Sequence, residues 1–187
     1  MAVVQVEPME LPGVKLVRTQ IFGDARGYFT ETYNRQAFAA AGIGDEFIQD
    51  NFSLSVAAGT VRGLHFQTAP FGQAKLVRVG RGRILDVAVD LRRASPTFGR
   101  HVAIELSAED CLQVYIPLGF AHGFCTLAPD TEVIYKVTAP YSAAHDRGLA
   151  WNDPALGIDW PVTLEHAVLS DKDARNPRLS ELFADSP

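Results

Sequence analysis

The chain runs in short stretches rich in Val, Ile, Leu, Phe and Tyr, cut at close intervals by turn-forming residues. The cuts fall at Gly23-Asp24, Ala58-Gly59, Gly80-Arg81-Gly82, Ser95-Pro96, Pro117-Leu118-Gly119, Pro129-Asp130 and Ala139-Pro140. The stretches between them, residues 75–79, 84–90, 102–106, 113–116, 121–127 and 131–138, have strand length and β-branched or aromatic content. Many short strands with turn chemistry between them predict a sandwich or barrel. Residues 84–106 alternate only loosely, which predicts strands covered on both faces. Helices are scarce. Residues 34–41 form one candidate, ending near Gly42, and the tail from Ser170 holds another short turn or helix.

Composition narrows the class. The 187 residues are 47% hydrophobic and 10% aromatic, enough for a core without metal or disulfide staples. No Ser-, Gly- or Pro-rich linker divides them, so residues 1–187 read as one domain. The net charge of -5 argues against a nucleic-acid or acidic-membrane partner, which requires a basic surface. No apolar run approaches the ~20 residues of a membrane span. The first seven residues place an acid before any base, the wrong order for a secretory signal, so a cytoplasmic protein is expected. Cys111 and Cys125 lie in no metal-finger spacing and read as small buried apolar residues.

Three clusters carry candidate chemistry. In Arg62-Gly63-Leu64-His65-Phe66-Gln67, His65 is a candidate general base, because imidazole titrates near neutral pH. Lys75 follows closely and could stabilise an enolate oxygen. In Gly119-Phe120-Ala121-His122-Gly123-Phe124, His122 shares a strand face with two phenylalanines. In Thr131-Glu132-Val133-Ile134-Tyr135-Lys136-Val137, Tyr135 shares a face with two valines and is a candidate general acid. Each also has a plain structural reading: a satisfied core histidine, a solvated lysine, a core tyrosine with its hydroxyl bonded. A metal site is not expected. The position two beyond His65 is Gln67, no His-x-His pair occurs, and His101, His145 and His166 are scattered. Arg62 and His65 have opposite parity on a regular strand, so Gly63 either marks a bulge or Arg62 sits at the strand mouth.

At these residues the sequence resembles the dTDP-4-dehydrorhamnose 3,5-epimerase family, a metal-free branch of the cupin superfamily. The likeness also rests on Asp24-Ala25-Arg26-Gly27-Tyr28-Phe29-Thr30-Glu31, Gln49-Asp50-Asn51-Phe52-Ser53, Ser95-Pro96-Thr97-Phe98-Gly99, Ile116-Pro117-Leu118-Gly119 and Asp153-Pro154. The resemblance implies an all-β jelly-roll (cupin-like) barrel with a few short helices. It implies a homodimer that exchanges N-terminal strands (here residues 13–22), a small-molecule nucleotide-sugar substrate and no cofactor. The implied reaction inverts C3 and C5 of a dTDP-linked 4-keto-6-deoxyhexose. By the same resemblance His65 is the base, Asp171 the carboxylate that orients it, Tyr135 the acid on the opposite face, and Lys75 the residue facing the keto oxygen. Arg62 and His122 are further substrate contacts. Arg26, Glu31, Gln49 and Asn51 hold the nucleotide, some across the dimer, and Lys172 lies beside the diphosphate. The family commonly has Glu where this chain has Asp146.

Other readings predict different observations. An epimerase of one carbon only would exchange solvent hydrogen at a single position. A metal-dependent cupin oxygenase would carry iron or manganese. A non-catalytic sugar-binding barrel would have no need of His65, Tyr135 and a carboxylate together.

Overall fold

Two antiparallel sheets face each other in the structure, a computed structural model that describes residues 4–182. Met1–Val3 of the N-terminal reading lie outside the described residues. The strands are β1 (Val4–Pro8), β2 (Lys15–Thr19), β3 (Ile21–Asp24), β4 (Gly27–Thr30), β5 (Gln49–Ser55), β6 (Val61–Gln67) and β7 (Lys75–Arg81). Then come β8 (Arg83–Asp90), β9 (His101–Ser107), β10 (Leu112–Ile116), β11 (Phe120–Thr126), β12 (Thr131–Val137) and β13 (Asp146–Gly148). One sheet has the order β1-β2-β10-β7-β12-β5 and the other β13-β6-β11-β8-β9, while β3 and β4 form a separate hairpin. This is an all-β, jelly-roll (cupin-like) barrel with few short helices: the turn spacing predicts a sandwich or barrel, and the family resemblance implies the jelly roll.

The strands form where side chains can alternate between two environments. Along β5, Gln49, Asn51, Ser53 and Ser55 turn inward while Asp50, Phe52 and Leu54 are exposed. The main core lies between the sheets and draws on both, including Val77, Val114 and Val133 from one and Ile84, Val102 and Phe124 from the other. A second cluster covers the outer face of the five-stranded sheet, where Leu64, Val87, Val89 and Ala121 meet Leu149 and Leu156. That second layer is why β8 and β11 read as nearly continuous apolar runs. On the outer face of the six-stranded sheet, Phe38 and Ile43 pack on Val17, Leu76 and Tyr115.

Phe38 belongs to α1 (Arg35–Ala40), whose N-terminal amides at Gln36 and Ala37 donate to the Asn34 side chain. Gly42 follows the helix at φ +87°. The tail forms a 3-10 turn, Asp173–Arg175, and a single helical turn, α2 (Leu179–Leu182). No helix among the described residues is long and apolar enough to cross a membrane. The Ser95–Gly99 segment is wound on buried Asp90, whose Oδ2 accepts from Ser95 Oγ and Thr97 Oγ1, each at 2.6 Å. Cys125 is buried, as expected, but Cys111 is only half-buried, in the β9–β10 turn at φ +51°.

Candidate active site

The two sheets enclose a cavity of about 450 Å³ whose walls are built from facing strands. Arg62 and His65 from β6 and His122 from β11 line one wall. Ser53 from β5, Lys75 from β7 and Tyr135 from β12 line the other. A second cavity of about 340 Å³, lined by Gln49, Asn51, Gln67, Gln73, Tyr141 and Asp146, shares His65, Lys75, Tyr135 and Lys172 with the first. The expected candidates Gln49, Asn51, Arg62, His65, Lys75, His122, Tyr135, Asp146 and Lys172 therefore converge on one continuous cleft.

A bulge explains how Arg62 and His65 share a wall. Opposite β11, His65 pairs with His122 and Arg62 pairs with Phe124, so three steps along β6 match two along β11. The extra residue reverses the parity of the strand after Arg62. Gly63 is required there. Its φ is +132°, and a Cβ would come within 2.5 Å of Gly123 Cα. Beyond the bulge Leu64 and Phe66 pack in the outer cluster and His65 and Gln67 line the cleft, whose second cavity Phe66 also borders.

The carboxylate against His65 is Asp173, which corrects the expectation of Asp171. His65 Nε2–H donates to Asp173 Oδ1 at 2.5 Å, and the Asp173 side chain is only 6% exposed. Asp171 is exposed, and its carbonyl accepts from Arg175 Nε. The 3-10 turn that starts at Asp173, with Asp173 N–H on Ser170 Oγ, turns that side chain inward and leaves Asp171 outside. Burial works against the Asp173 charge. The bonds from His65, Ser170 and the Gly63 amide outweigh it and hold the carboxyl below its usual range. The same bulge that aims His65 thus also supports its partner.

The strap carrying Asp173 is held to the β6 edge. Val168 N–H donates to Gly59 O and Val61 N–H to Val168 O, each at 3.0 Å. Val168, Leu169 and Ser170 then close one side of the cavity.

Lys75 is buried, with Nζ 3.5 Å from the His65 carbonyl. Burial lowers its pKa to about 8, against the opposing pull of Asp86 and Asp146. His122 is also buried, and burial disfavours its charged form although Nε2 lies 2.7 Å from Asp86 Oδ2. Asp86 is a functional neighbour that the sequence reading passed over. Its signal was a carboxylate inside the apolar run of β8, which must find a partner. Tyr135 sits one inward row from Lys75, since the register pairs Tyr135 with Val77 and Asn51, and Lys75 with Val137. Burial raises the Tyr135 phenol pKa, with Arg62 opposing. Arg62 is anchored along the wall by Nε on Ser55 Oγ and Nη2 on Leu54 O, both at 3.0 Å.

At the rim Asp146 accepts from Lys172 Nζ, and from the Tyr141 hydroxyl at 3.2 Å. Gln67 staples the loops behind them. Its Oε1 accepts from Ser142 N–H at 2.6 Å, and its Nε2 donates to Phe71 O and Pro140 O at 2.7 and 3.0 Å.

Arg26 and Glu31 line neither cavity. Arg26 is on the exposed β3–β4 hairpin and pairs with Asp24 at 2.5 Å. The other histidines hold local structure: His101 bonds Leu156 O, His145 bonds Ser142 Oγ and His166 bonds Thr163 Oγ1. Among the described residues no three His, Cys, Asp or Glu side chains come together as a metal-ligand set.

The cleft therefore offers a carboxylate-backed imidazole on one wall, and a protonated phenol with an ammonium one row away on the other. Comparison with known proteins gives these groups a context. The family model for dTDP-4-dehydrorhamnose 3,5-epimerase matches residues 8–181. A protein of that name from Sinorhizobium fredii is 54% identical over 94% of this chain and 90% of its own. The crystal structure of the Bacillus anthracis epimerase with TDP and PPi bound has a TM-score of 0.92 at 50% identity, covering 95% of this chain and 100% of that one. A Legionella pneumophila dTDP-6-deoxy-D-glucose-3,5-epimerase in complex with dTDP-4-keto-L-rhamnose has a TM-score of 0.91 at 40% identity, covering 97% and 96%. The chain belongs to the dTDP-4-dehydrorhamnose 3,5-epimerase family and is an isomerase.

Proposed function

We propose that the chain converts dTDP-4-dehydro-6-deoxy-D-glucose to dTDP-4-dehydro-L-rhamnose, in dTDP-L-rhamnose biosynthesis, by proton transfer through an enolate and without a metal or redox cofactor. The observation that carries the reading is the placement of His65 and Tyr135 on facing sheets of one cavity. A 4-keto group acidifies the hydrogens on both flanking carbons. Inversion at either carbon needs a base on one face of the ring and a proton donor on the other. With Nε2–H given to ionised Asp173, the basic lone pair of His65 is on Nδ1. His65 takes the proton and shares the resulting charge with Asp173, as carboxylate-backed imidazoles do elsewhere. Lys75, charged at neutral pH, stabilises the enolate oxygen in a site where burial strengthens the interaction. Tyr135 keeps its proton at neutral pH and delivers it to the opposite face.

The polar second cavity suits the nucleotide and its diphosphate, with Gln49, Asn51, Asp146 and Lys172 as contacts. Arg26 and Glu31 act on the cleft of a second copy in a homodimer. Supporting this, Arg26 lies outside its own chain's cavities, and the hairpin beside it leaves Phe29 67% exposed. The β5 edge strand likewise leaves Phe52 63% exposed. Apolar exposure on an edge strand is a surface that proteins cover by association.

The test is turnover in heavy water, with deuterium read at each carbon by NMR and chelator added to one arm. The reading requires label at both C3 and C5, unaffected by chelator. Label at one carbon only would give the single-carbon alternative, which a specific neighbour favours: a Streptomyces bikiniensis 3'-monoepimerase has a TM-score of 0.87 at 34% identity, covering 95% of this chain and 90% of that one. Loss of activity with chelator and its return with a divalent ion would overturn the metal-free mechanism.

A further inference from the structure

Ser53 stands on the inward face of β5, opposite Val133 and between Asn51 and Ser55. Both neighbours are engaged. Asn51 Oδ1 accepts from Gln49 Nε2 at 2.9 Å, and Ser55 Oγ accepts from Arg62 Nε at 3.0 Å. Ser53 Oγ is buried and has no hydrogen-bond partner. Among the described residues the other such side-chain atom is Asn176 Nδ2, which lines neither cavity. Ser53 lines the larger one, on the same wall as Tyr135 and across from His65. Natural structures rarely leave a buried hydroxyl unpaired, because it loses its water without gaining a partner. An unpaired hydroxyl in a substrate cavity is a group whose partner arrives with the ligand.

The substrate's chemistry limits that partner. In a 4-keto-6-deoxyhexose joined to diphosphate at C1, the only ring hydroxyls are those on C2 and C3. We propose that Ser53 is a specificity-determining residue of this reaction, and that its hydroxyl bonds one of those two sugar hydroxyls. The inference rests on the epimerase reading. A serine hydroxyl donates once and accepts twice, so it pairs with a sugar hydroxyl in either sense. Rotation about the single Cα–Cβ bond aims it. A site built to bond a substrate hydroxyl discriminates strongly against an analogue lacking that group, since its own polar atom is then left unpaired.

The test compares wild type and Ser53→Ala on the full substrate and on its 2-deoxy and 3-deoxy analogues, with deuterium uptake at C5 as the common readout. Ser53→Ala should melt at or above wild type, because it removes an unsatisfied group. On the full substrate its kcat/KM should fall roughly tenfold or more. On one of the two analogues that fall should vanish. An unchanged kcat/KM on the full substrate, an equal fall on all three, or a lowered melting temperature accompanying the loss would make Ser53 a packing residue and overturn the inference. Wild-type protein that takes up no deuterium would overturn the epimerase reading instead.

Discussion

His65 and Asp173, 108 residues apart in the chain, meet through a 2.5 Å hydrogen bond at the wall of the cleft. Asp173→Asn should therefore lower kcat/KM by roughly 10²–10⁴-fold, since the amide sets the wrong tautomer and no longer balances the imidazolium. Asp171→Asn, two residues away and exposed, should stay within about twofold of wild type. Steady-state kinetics on the two variants separate the assignments, and equal losses would contradict the pairing.

The reason Asp171 was the expectation shows how far the sequence carries. Strand residues betray their direction through alternation. The shared faces of His122 and Tyr135 follow from their apolar neighbours, Lys75 is placed in the site by the family resemblance alone, and the Gly63 bulge is one of two ways to place Arg62 with His65. Residues 168–173 form a strap with one parallel bridge, at Val168, followed by a 3-10 turn, so no period tells which aspartate points inward. Asp86 was hidden differently. Its strand reads as structure, and a carboxylate within an apolar run does not by itself name the partner that satisfies it. The three-residue β13 is too short for any periodic signal. The displacement of Arg26 from its own cleft depends on the hairpin's placement, which local residues do not set.

Lys75 gives two linked pH effects. If its charge stabilises the enolate, kcat should fall as pH rises through about 8, and Lys75→Met should lose most activity at pH 7. Its folded pKa is depressed from 10.5, so the buried charge costs stability at neutral pH. That cost is relieved as pH rises from about 8 toward 10.5. Lys75→Met should be more stable at pH 7, by on the order of 2 kcal/mol, with the gain shrinking across that window. Denaturant midpoints at several pH values check the sign.

Gln67 occupies the place where a second metal imidazole would stand, and uses it to hold the turn carrying Tyr141. Gln67→Met should raise KM roughly tenfold and leave kcat within about twofold, because it loosens the nucleotide end of the cleft and not the chemistry. A loss confined to kcat would contradict that role.

Subunit mixing tests the dimer proposal. Arg26→Ala and His65→Ala variants, each impaired alone, should recover roughly a quarter of wild-type activity when unfolded together and refolded at equal amounts. Half the dimers are then mixed, and each mixed dimer has one intact site. No recovery, or a monomer with full activity in sedimentation, would contradict an Arg26 acting across subunits.

The central claim is that base and acid work from opposite walls, and deuterium uptake measured together with product stereochemistry on Tyr135→Phe tests it most directly. The account predicts that this variant still forms the enolate at His65, that the captured proton exchanges with heavy water, and that a deuteron returns to the same face, so label enters without matching inversion. His65→Asn should show neither. A Tyr135→Phe enzyme that inverts at the wild-type rate would contradict the account and leave Tyr135 as a packing residue.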